Sequence, residues 1–486
     1  DVGHINSQFL AEHGVPKVDE LEFFNDWMRR SNNKADPRLV MQFVKNCGET
    51  FDWYINIIKP EEREQMFVRY WPPTEAFDGE LGGYKFWFGT AVMPGWFEPG
   101  KYSLTDTLLE NMDYIAEKYG AQLFFDVSAE QIEKENGRVT AIIAKQADGT
   151  YSRYRANKSI VLATGGFAGD PEMYEELLPD LYDLLDYEQD AEGNLLLNEE
   201  GQPYKKIPRG TRDGTGIKLG VWAGGQLEPR PISTMGGNYA SHMSGLLATF
   251  GWLWLDSYGK RYSNEAFGDP VMAAFPGARL KHDTYFTIFG SNALEYGQYA
   301  PPAHTGFWPT KQSVVEDLQQ KIQAAIDGGD EGYSPRAPMP GSKRKEAFYA
   351  GDTPEQLARR MGLTGELYDN VVASIKRYDE LCRLGRDEDF GKDAKLMIPM
   401  KPPYIGLICS AGMIGAVMDT TGGLLTDERQ NVLDLKKDPI PGLYATGNCC
   451  GGRFGAQYST PISGVSIGIA LTLGRIAGQN AAENQI

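Results

Sequence analysis

The residues of this chain best suited to chemistry crowd toward its C-terminal end. Thr446-Gly447-Asn448 runs through Cys449-Cys450-Gly451-Gly452-Arg453 to Gln457-Tyr458, and a helix rich in small residues follows from Val465 to Glu483. A buried strand here breaks at glycines, crosses a polar loop and enters a helix. The first turn of a helix offers unpaired N–H donors and partial positive charge, which suits the electron-rich edge of a large planar cofactor. A second segment of related type is Val161-Leu162-Ala163-Thr164-Gly165-Gly166. A continuous apolar run ending in small residues is the pattern of a buried parallel strand that reaches a nucleotide. Arg212-Asp213-Gly214-Thr215-Gly216 opens a further helix, with Asp213 placed to cap it and glycines permitting close approach.

Other chemistries find no support. The five cysteines (Cys47, Cys382, Cys409, Cys449, Cys450) are too scattered for a disulfide framework and lack iron–sulfur, haem or zinc spacing. Adjacent cysteines bond each other only with strain, so Cys449-Cys450 reads as two small packing residues. The Ser459-Thr460 hydroxyls have no histidine at a suggestive position, which argues against a hydrolase. His4, His282 and His304 have no partners by spacing. The net charge of −18 argues against binding nucleic acid or anionic membrane and reads as a solvated acidic surface, with docking of a basic redox partner as the alternative.

The elements that must position these residues can be traced from the start of the chain. At 486 residues it exceeds one average core, so two domains are expected. No apolar run approaches membrane-spanning length, which fits a soluble protein. Between 20 and 70, stripes such as Leu21, Phe24, Trp27, Met28 and Val40, Phe43, Val44 predict helices. Residues 71–103, rich in Trp, Phe, Tyr, Gly and Pro, read as a loop able to wall an aromatic-lined pocket. A helix is expected over 104–120 and a strand over 122–127. Asn136-Gly137 and Asp148-Gly149 then bracket 139–145 as an antiparallel meander. Residues 181–210 read as an exposed insertion, and composition shifts after Pro229-Arg230-Pro231. Thr353-Pro354 opens an N-capped helix, and another carries Val371, Ile375, Tyr378 and Leu381. The expected division is 1–235, 236–405 as a capping and substrate domain, and 406–486 returning to the first.

Further marks are Asp1-Val2-Gly3-His4-Ile5-Asn6-Ser7, Gly259-Lys260-Arg261-Tyr262-Ser263-Asn264-Glu265, Asp387-Glu388-Asp389-Phe390-Gly391-Lys392 and Gly422-Gly423-Leu424. In this order, over most of the chain, they resemble the fumarate reductase-type FAD family (FAD-binding type 2). That family includes fumarate and urocanate reductases, 3-ketosteroid dehydrogenases and FAD-dependent reductases of anaerobic bacteria. The resemblance implies an α/β fold, a Rossmann-like FAD-binding domain with an inserted α+β capping domain, and FAD as cofactor. It implies cofactor contacts at Asn6, Ser7, Val127, Ala163, Thr164, Gly165, Gly166, Asp213, Gly214, Gly447, Asn448, Ser463, Gly464 and Val465. Family members reach their Asp-x-Gly-x-Ile-Asn-Ser segment after a Gly-x-Gly-x-x-Gly module that this chain lacks. We therefore expect an N-terminal piece outside this sequence, with any export signal.

In fumarate reductases, basic side chains read the substrate carboxylates. At the matching places this chain has Asp269, Asp419 and, at or near the terminal-loop arginine, Tyr458. Two carboxylates in place of cations would repel a dianion by several kcal/mol at low effective dielectric, which argues against fumarate, succinate and urocanate. A tyrosine in that loop resembles the 3-ketosteroid dehydrogenases, where a phenol helps hold an enone carbonyl. The expectation is a reductase passing a hydride from flavin to an activated C=C bond of a neutral or cationic, aromatic or steroidal small molecule. Tyr458 would hold the activating carbonyl and Asp269 or Asp419 would supply the proton. His242, Arg279 and Tyr262 are expected along the pocket, and Arg261 with Glu265 as an internal ion pair. The alternatives are a ketosteroid-type dehydrogenase working oxidatively and a flavin-carrying electron-transfer subunit. A separate electron donor is implied (reduced flavin, flavodoxin, ferredoxin, haem or quinone), and oligomeric state stays open.

Overall fold

The computed structural model describes the chain except residues 78, 82–83, 97, 208–211, 236–251, 266–283, 300–310, 335–346, 411–416, 457, 459 and 484–486. Ile160–Leu162 lies parallel to Pro439–Ala445, with Leu443 beside Ile160 and Ala445 beside Leu162. Asn431–Leu433 pairs antiparallel on the other side of Pro439–Ala445. The Thr446 N–H continues the ladder by donating to Leu162 O at 2.9 Å. Residues 163–166 and 446–448 therefore leave the sheet together, at the carboxyl ends of neighbouring parallel strands, where α/β sheets form ligand crevices.

The helix Val465–Glu483 packs against Pro37–Tyr54 and crosses the short strand Val2–Gly3. Gly468 makes that crossing feasible, since an added Cβ would lie 1.8 Å from Gly3 O. Three glycines inside the helix cost about 1 kcal/mol each. Val465, Ile469 and Leu473, all fully buried with Trp27, Phe43 and Phe454, return roughly 2 kcal/mol apiece. Packing wins, and the helix forms because of what it covers.

A separate four-stranded antiparallel sheet runs in the order Leu253–Leu255, Thr284–Gly290, Tyr404–Ser410, Phe348–Gly351. Its alternation sends Trp254, Tyr285 and Phe289 into one core and Leu253, Leu255, Phe286 and Ile288 into another, as a period of two requires. Helices Pro354–Arg360 and Gly365–Leu384 cover the second core. Tyr404–Ser410 sits centrally in this sheet, so the sheet extends past residue 405. Thr353 caps its helix as expected, accepting from Gln356 N at 3.1 Å.

Two sequence marks more than a hundred residues apart meet beneath this sheet. Arg261 donates to both carboxylate oxygens of Glu265 (2.9 Å each) and both of Asp387 (2.8 Å each). Lys392 Nζ adds a 3.4 Å pairing to Glu265. All four side chains are buried. Burial opposes ionisation of Asp387, but the Arg261 guanidinium overrides it and holds the carboxyl down to about 2.

The meander forms as Ser128–Glu135, Arg138–Lys145 and Tyr151–Arg155, with Asn136 (φ 52°) and Gly137 (φ 82°) in the left-handed turn that asparagine-glycine favours. The expected strand over 122–127 is absent: those residues carry no strand. A strand needs a ladder partner, and among the described residues none pairs with this segment. Phe124 and Phe125 are exposed instead, as are Leu108 and Leu109 on the helix Leu104–Tyr119. The aromatic 71–103 segment is also not a free loop. Phe77 and Phe86 enter the Trp252–Trp254 core, while Trp87 joins the core of Trp27 and Tyr458.

Candidate active site

The paired strand ends, the turn before helix Thr215–Trp222, the strand Asp419–Thr420 and the start of the C-terminal helix converge. Gly214 N–H donates to Gly166 O at 3.2 Å and Gly169 N–H to Arg212 O at 2.8 Å, fixing the turn against the strand end. Asp213 accepts from Thr215 N at 3.0 Å, but the helix N-cap is Gly214, so the expected Asp213 cap is replaced by a turn contact one residue earlier. Phe167 N–H donates to Thr420 Oγ1 at 2.8 Å. A Cβ on Gly166 would lie 2.2 Å from that hydroxyl and 2.5 Å from Asp419 Oδ1, so glycine is obligatory there.

Through this junction runs a continuous polar chain. Arg212 Nε lies 3.5 Å from Asp419 Oδ2. Asn448 Nδ2 donates to the same oxygen at 2.7 Å, and Ser466 Oγ donates to Asn448 Oδ1 at 3.3 Å. The Ser466 backbone N–H, in the first turn of the C-terminal helix, donates to the Tyr458 hydroxyl at 3.1 Å. Two residues proposed from sequence alone, Asp419 and Tyr458, are thus joined through two intervening side chains. Asp419 is 6 % exposed. Burial raises its carboxyl above the usual range, outweighing the Asn448 hydrogen bond and the Arg212 charge, which pull the other way. An N–H aimed at the phenol oxygen, from the positive end of a helix, strengthens Tyr458 as a hydrogen-bond donor.

The junction suits a flavin. Gly165 (φ 83°) and Gly447 (φ 63°) sit at the two strand ends, and an added Cβ there would meet nothing closer than 4.0 Å and 3.7 Å respectively. Ala163 and Thr164 are exposed at the end of a buried strand. Among the described residues the buried Thr446 hydroxyl has no hydrogen-bond partner, and a ligand can satisfy it. Residues 163–166, Gly447, Asn448 and the start of the C-terminal helix would hold the cofactor.

The remaining expected residues fall as follows. Asn6 (φ 56°) spends its amide on Val18, donating to Val18 O and accepting from Val18 N. The Ser7 hydroxyl accepts from Leu10 N at 3.0 Å and bonds His4 Nε2 at 2.8 Å. Both side chains are therefore committed within the protein, leaving backbone as what they can offer a ligand. Val127 is half-buried just before the meander. Gly464 (φ 73°) accepts from Gly3 N, and Ser463 bonds the Thr90 hydroxyl. Tyr262 packs against the Trp252–Trp254 core. Asp269, His242 and Arg279 lie outside the described residues. His4 stacks on Phe51 in full burial, which drives its pKa down to about 3 and keeps it neutral. Burial pushes the Cys449 thiol up to about 12, which removes it as a thiolate nucleophile.

Sequence reasoning missed Glu228 and Arg453. Glu228 is closed in by Gly422 and Gly451, accepts from Gly452 N at 2.8 Å, and is pushed up to about 7 by burial. Arg453 donates to Thr421 O at 2.8 Å, while its Nε and Nη1 find no partner among the described residues. Neither has a spacing signal, because each acts across the fold. Arg212 was visible in its motif but unassigned.

A crevice at parallel strand ends, open glycines and a helix start offer room for a flavin, and comparison with known proteins gives the class, a flavin-dependent oxidoreductase. The chain belongs to the FAD binding domain family, which matches residues 9–464. FAD is its cofactor, and its class acts on C=C or CH–CH bonds. It is 26 % identical over 484 residues to a vinyl phenol reductase of Lactiplantibacillus plantarum, covering 96 % of this chain and 84 % of that one. It is 24 % identical over 367 residues to the 4-oxocyclohexanecarboxylate 2-dehydrogenase of Sinomonas cyclohexanicum, covering 72 % of this chain and 54 % of that one. Its fold matches the 3-ketosteroid-Δ4-(5α)-dehydrogenase structure from Rhodococcus jostii with a TM-score of 0.61 at 20 % identity, covering 99 % and 88 % of the two chains. Among the described residues no helix is long and apolar enough to cross a membrane, and no acidic, histidine or cysteine cluster is arranged to hold a metal.

Proposed function

We propose that this protein reduces an activated C=C bond in a neutral or cationic small molecule of aromatic or enone type. The carrying observation is the polar chain from Arg212 through Asp419, Asn448 and Ser466 to Tyr458. Bound FAD supplies the hydride at N5. With an enone, Tyr458 donates a hydrogen bond to the carbonyl oxygen, so the enolate charge that arrives there as hydride reaches the β-carbon is met by a preorganised donor. Asp419, whose pKa burial raises, gives its proton to the α-carbon of an enone; in a 4-hydroxystyrene the proton goes to the terminal vinyl carbon and the hydride to the benzylic carbon. Asn448 fixes which carboxylate oxygen faces the crevice, and Arg212 stabilises the carboxylate left behind. Similarity to a vinyl phenol reductase supports an uncharged aromatic alkene. Similarity to an oxocyclohexanecarboxylate dehydrogenase supports the reverse direction, with Asp419 then serving as base.

The test is anaerobic. The FAD-loaded protein is bleached with dithionite and mixed with 4-vinylphenol, cyclohex-2-enone or fumarate. Reoxidation by either of the first two and not by fumarate is the expected result. Reoxidation by fumarate alone would overturn the reading, and direct bleaching of oxidised flavin by a saturated ketone would assign the oxidative direction.

A further inference from the structure

Tyr458 lies in a terminal loop, and an element from the far end of the chain holds residues on either side of it. Helix Glu20–Arg30 presents Trp27 and Arg30, three residues apart and so on one face. Trp27 Nε1 donates to Arg453 O at 3.0 Å, across a separation of 426 residues. Its ring stacks on Phe454 with centroids 5.7 Å apart at 18°, and Phe454 meets Tyr458 edge-on at 4.7 Å and 60°. Arg30 Nη1 reaches Thr460 O at 3.5 Å, on the other side of Tyr458. Arg30 is itself fixed by Asp26, 2.8 Å from its Nε, and Asp26 also accepts from Trp87 Nε1 at 3.1 Å. The turn after the helix adds a third hold, with Asp36 N–H donating to Gly452 O at 2.6 Å. Gly455 (φ 70°) presses so closely that a Cβ would lie 2.6 Å from Lys34 Cβ.

We infer that Trp27 and Arg30 are positioning residues for Tyr458, gripping its loop before and after it so that the phenol stays on the Ser466 N–H. The inference rests on the role proposed above for Tyr458. Trp27 is 1 % exposed, so its indole N–H would be an uncompensated buried donor without Arg453 O. Both residues act on one phenol, and their effects pass through it.

That shared route makes a double-mutant cycle decisive. Flavin-loaded Trp27→Phe, Tyr458→Phe and the double variant are compared by reoxidation rate with 4-vinylphenol or cyclohex-2-enone, alongside FAD affinity. Trp27→Phe keeps the ring and removes only the N–H. The expected result is a loss of about tenfold in kcat with KM little changed, the size of effect a small misplacement produces. In the Tyr458→Phe background the same change should add less than about twofold. Equal loss in both backgrounds, or loss tracking FAD release, would overturn the inference and leave Trp27 as packing. A Tyr458→Phe variant with wild-type turnover would instead fail the role of Tyr458. Should Trp27→Phe not fold, Arg30→Lys carries the same cycle, with the same two outcomes.

Discussion

Asp419 is a carboxyl under opposing influences. Asn448 and Arg212 favour its charged form, yet burial outweighs them and its pKa sits above the ordinary range. A proton donor with a raised pKa works below that value and fails above it. Reductive turnover should therefore fall as pH rises through the Asp419 pKa, and Asp419→Asn should abolish that limb together with most of the rate. A pH–rate profile of both proteins checks this. Gly165 offers a second residue-scale prediction. Its φ of 83° penalises an alanine by about 1–2 kcal/mol, so Gly165→Ala should lower stability by about that amount in denaturant unfolding. The strand-end glycines are local signals, whereas Asp419 was singled out only through the family resemblance, which puts a carboxylate at a cation's usual place. Glu228 and Arg453 were not legible, since their meaning lies in which backbone atoms enclose them.

At the scale of elements, the Arg261–Glu265–Asp387–Lys392 cluster anchors the four-stranded sheet to helix Gly365–Leu384 and its following turn. Replacing Glu265 with Gln would leave two buried cations undercompensated, and a loss of about 3–5 kcal/mol in denaturant unfolding is expected. Asp387 carries a pH signature of its own. Its folded pKa of about 2 lies below the unfolded value, so its stabilisation is complete above the unfolded pKa of about 4 and is lost as pH falls toward 2. Acid unfolding should steepen in that window, and Asp387→Asn should remove the contribution. The Arg261–Glu265 half of the cluster could be read from its spacing of four. Asp387 and Lys392 could not, because their contact with Arg261 exists only once distant segments fold together. The 122–127 segment shows the converse: its composition reads as a strand, and what it lacks is a neighbour to pair with.

For the molecule as a whole, the net charge of −18 predicts how the charge of an added electron donor affects its approach. A cationic donor is drawn to an acidic surface, so flavin reduction by methyl viologen radical should slow with added salt. Stopped-flow rates across a salt series check this, and an anionic donor should show the opposite trend. The order of the motifs along the chain made the family legible, since each mark alone is weak and their sequence is not. The gripping of the terminal loop by helix Glu20–Arg30 was hidden, because the apolar stripe that predicts a helix does not say which loop it will face.

The central claim is that one phenol and one buried carboxyl, joined through Asn448 and Ser466, complete the reduction of an uncharged alkene. Its most direct test is single-turnover reoxidation of FAD-loaded, prereduced protein by 4-vinylphenol or cyclohex-2-enone, comparing wild type with Tyr458→Phe and Asp419→Asn. Both variants should keep their flavin and reoxidise at least about a hundredfold more slowly. Rates equal to wild type in both, with FAD fully bound, would contradict the account.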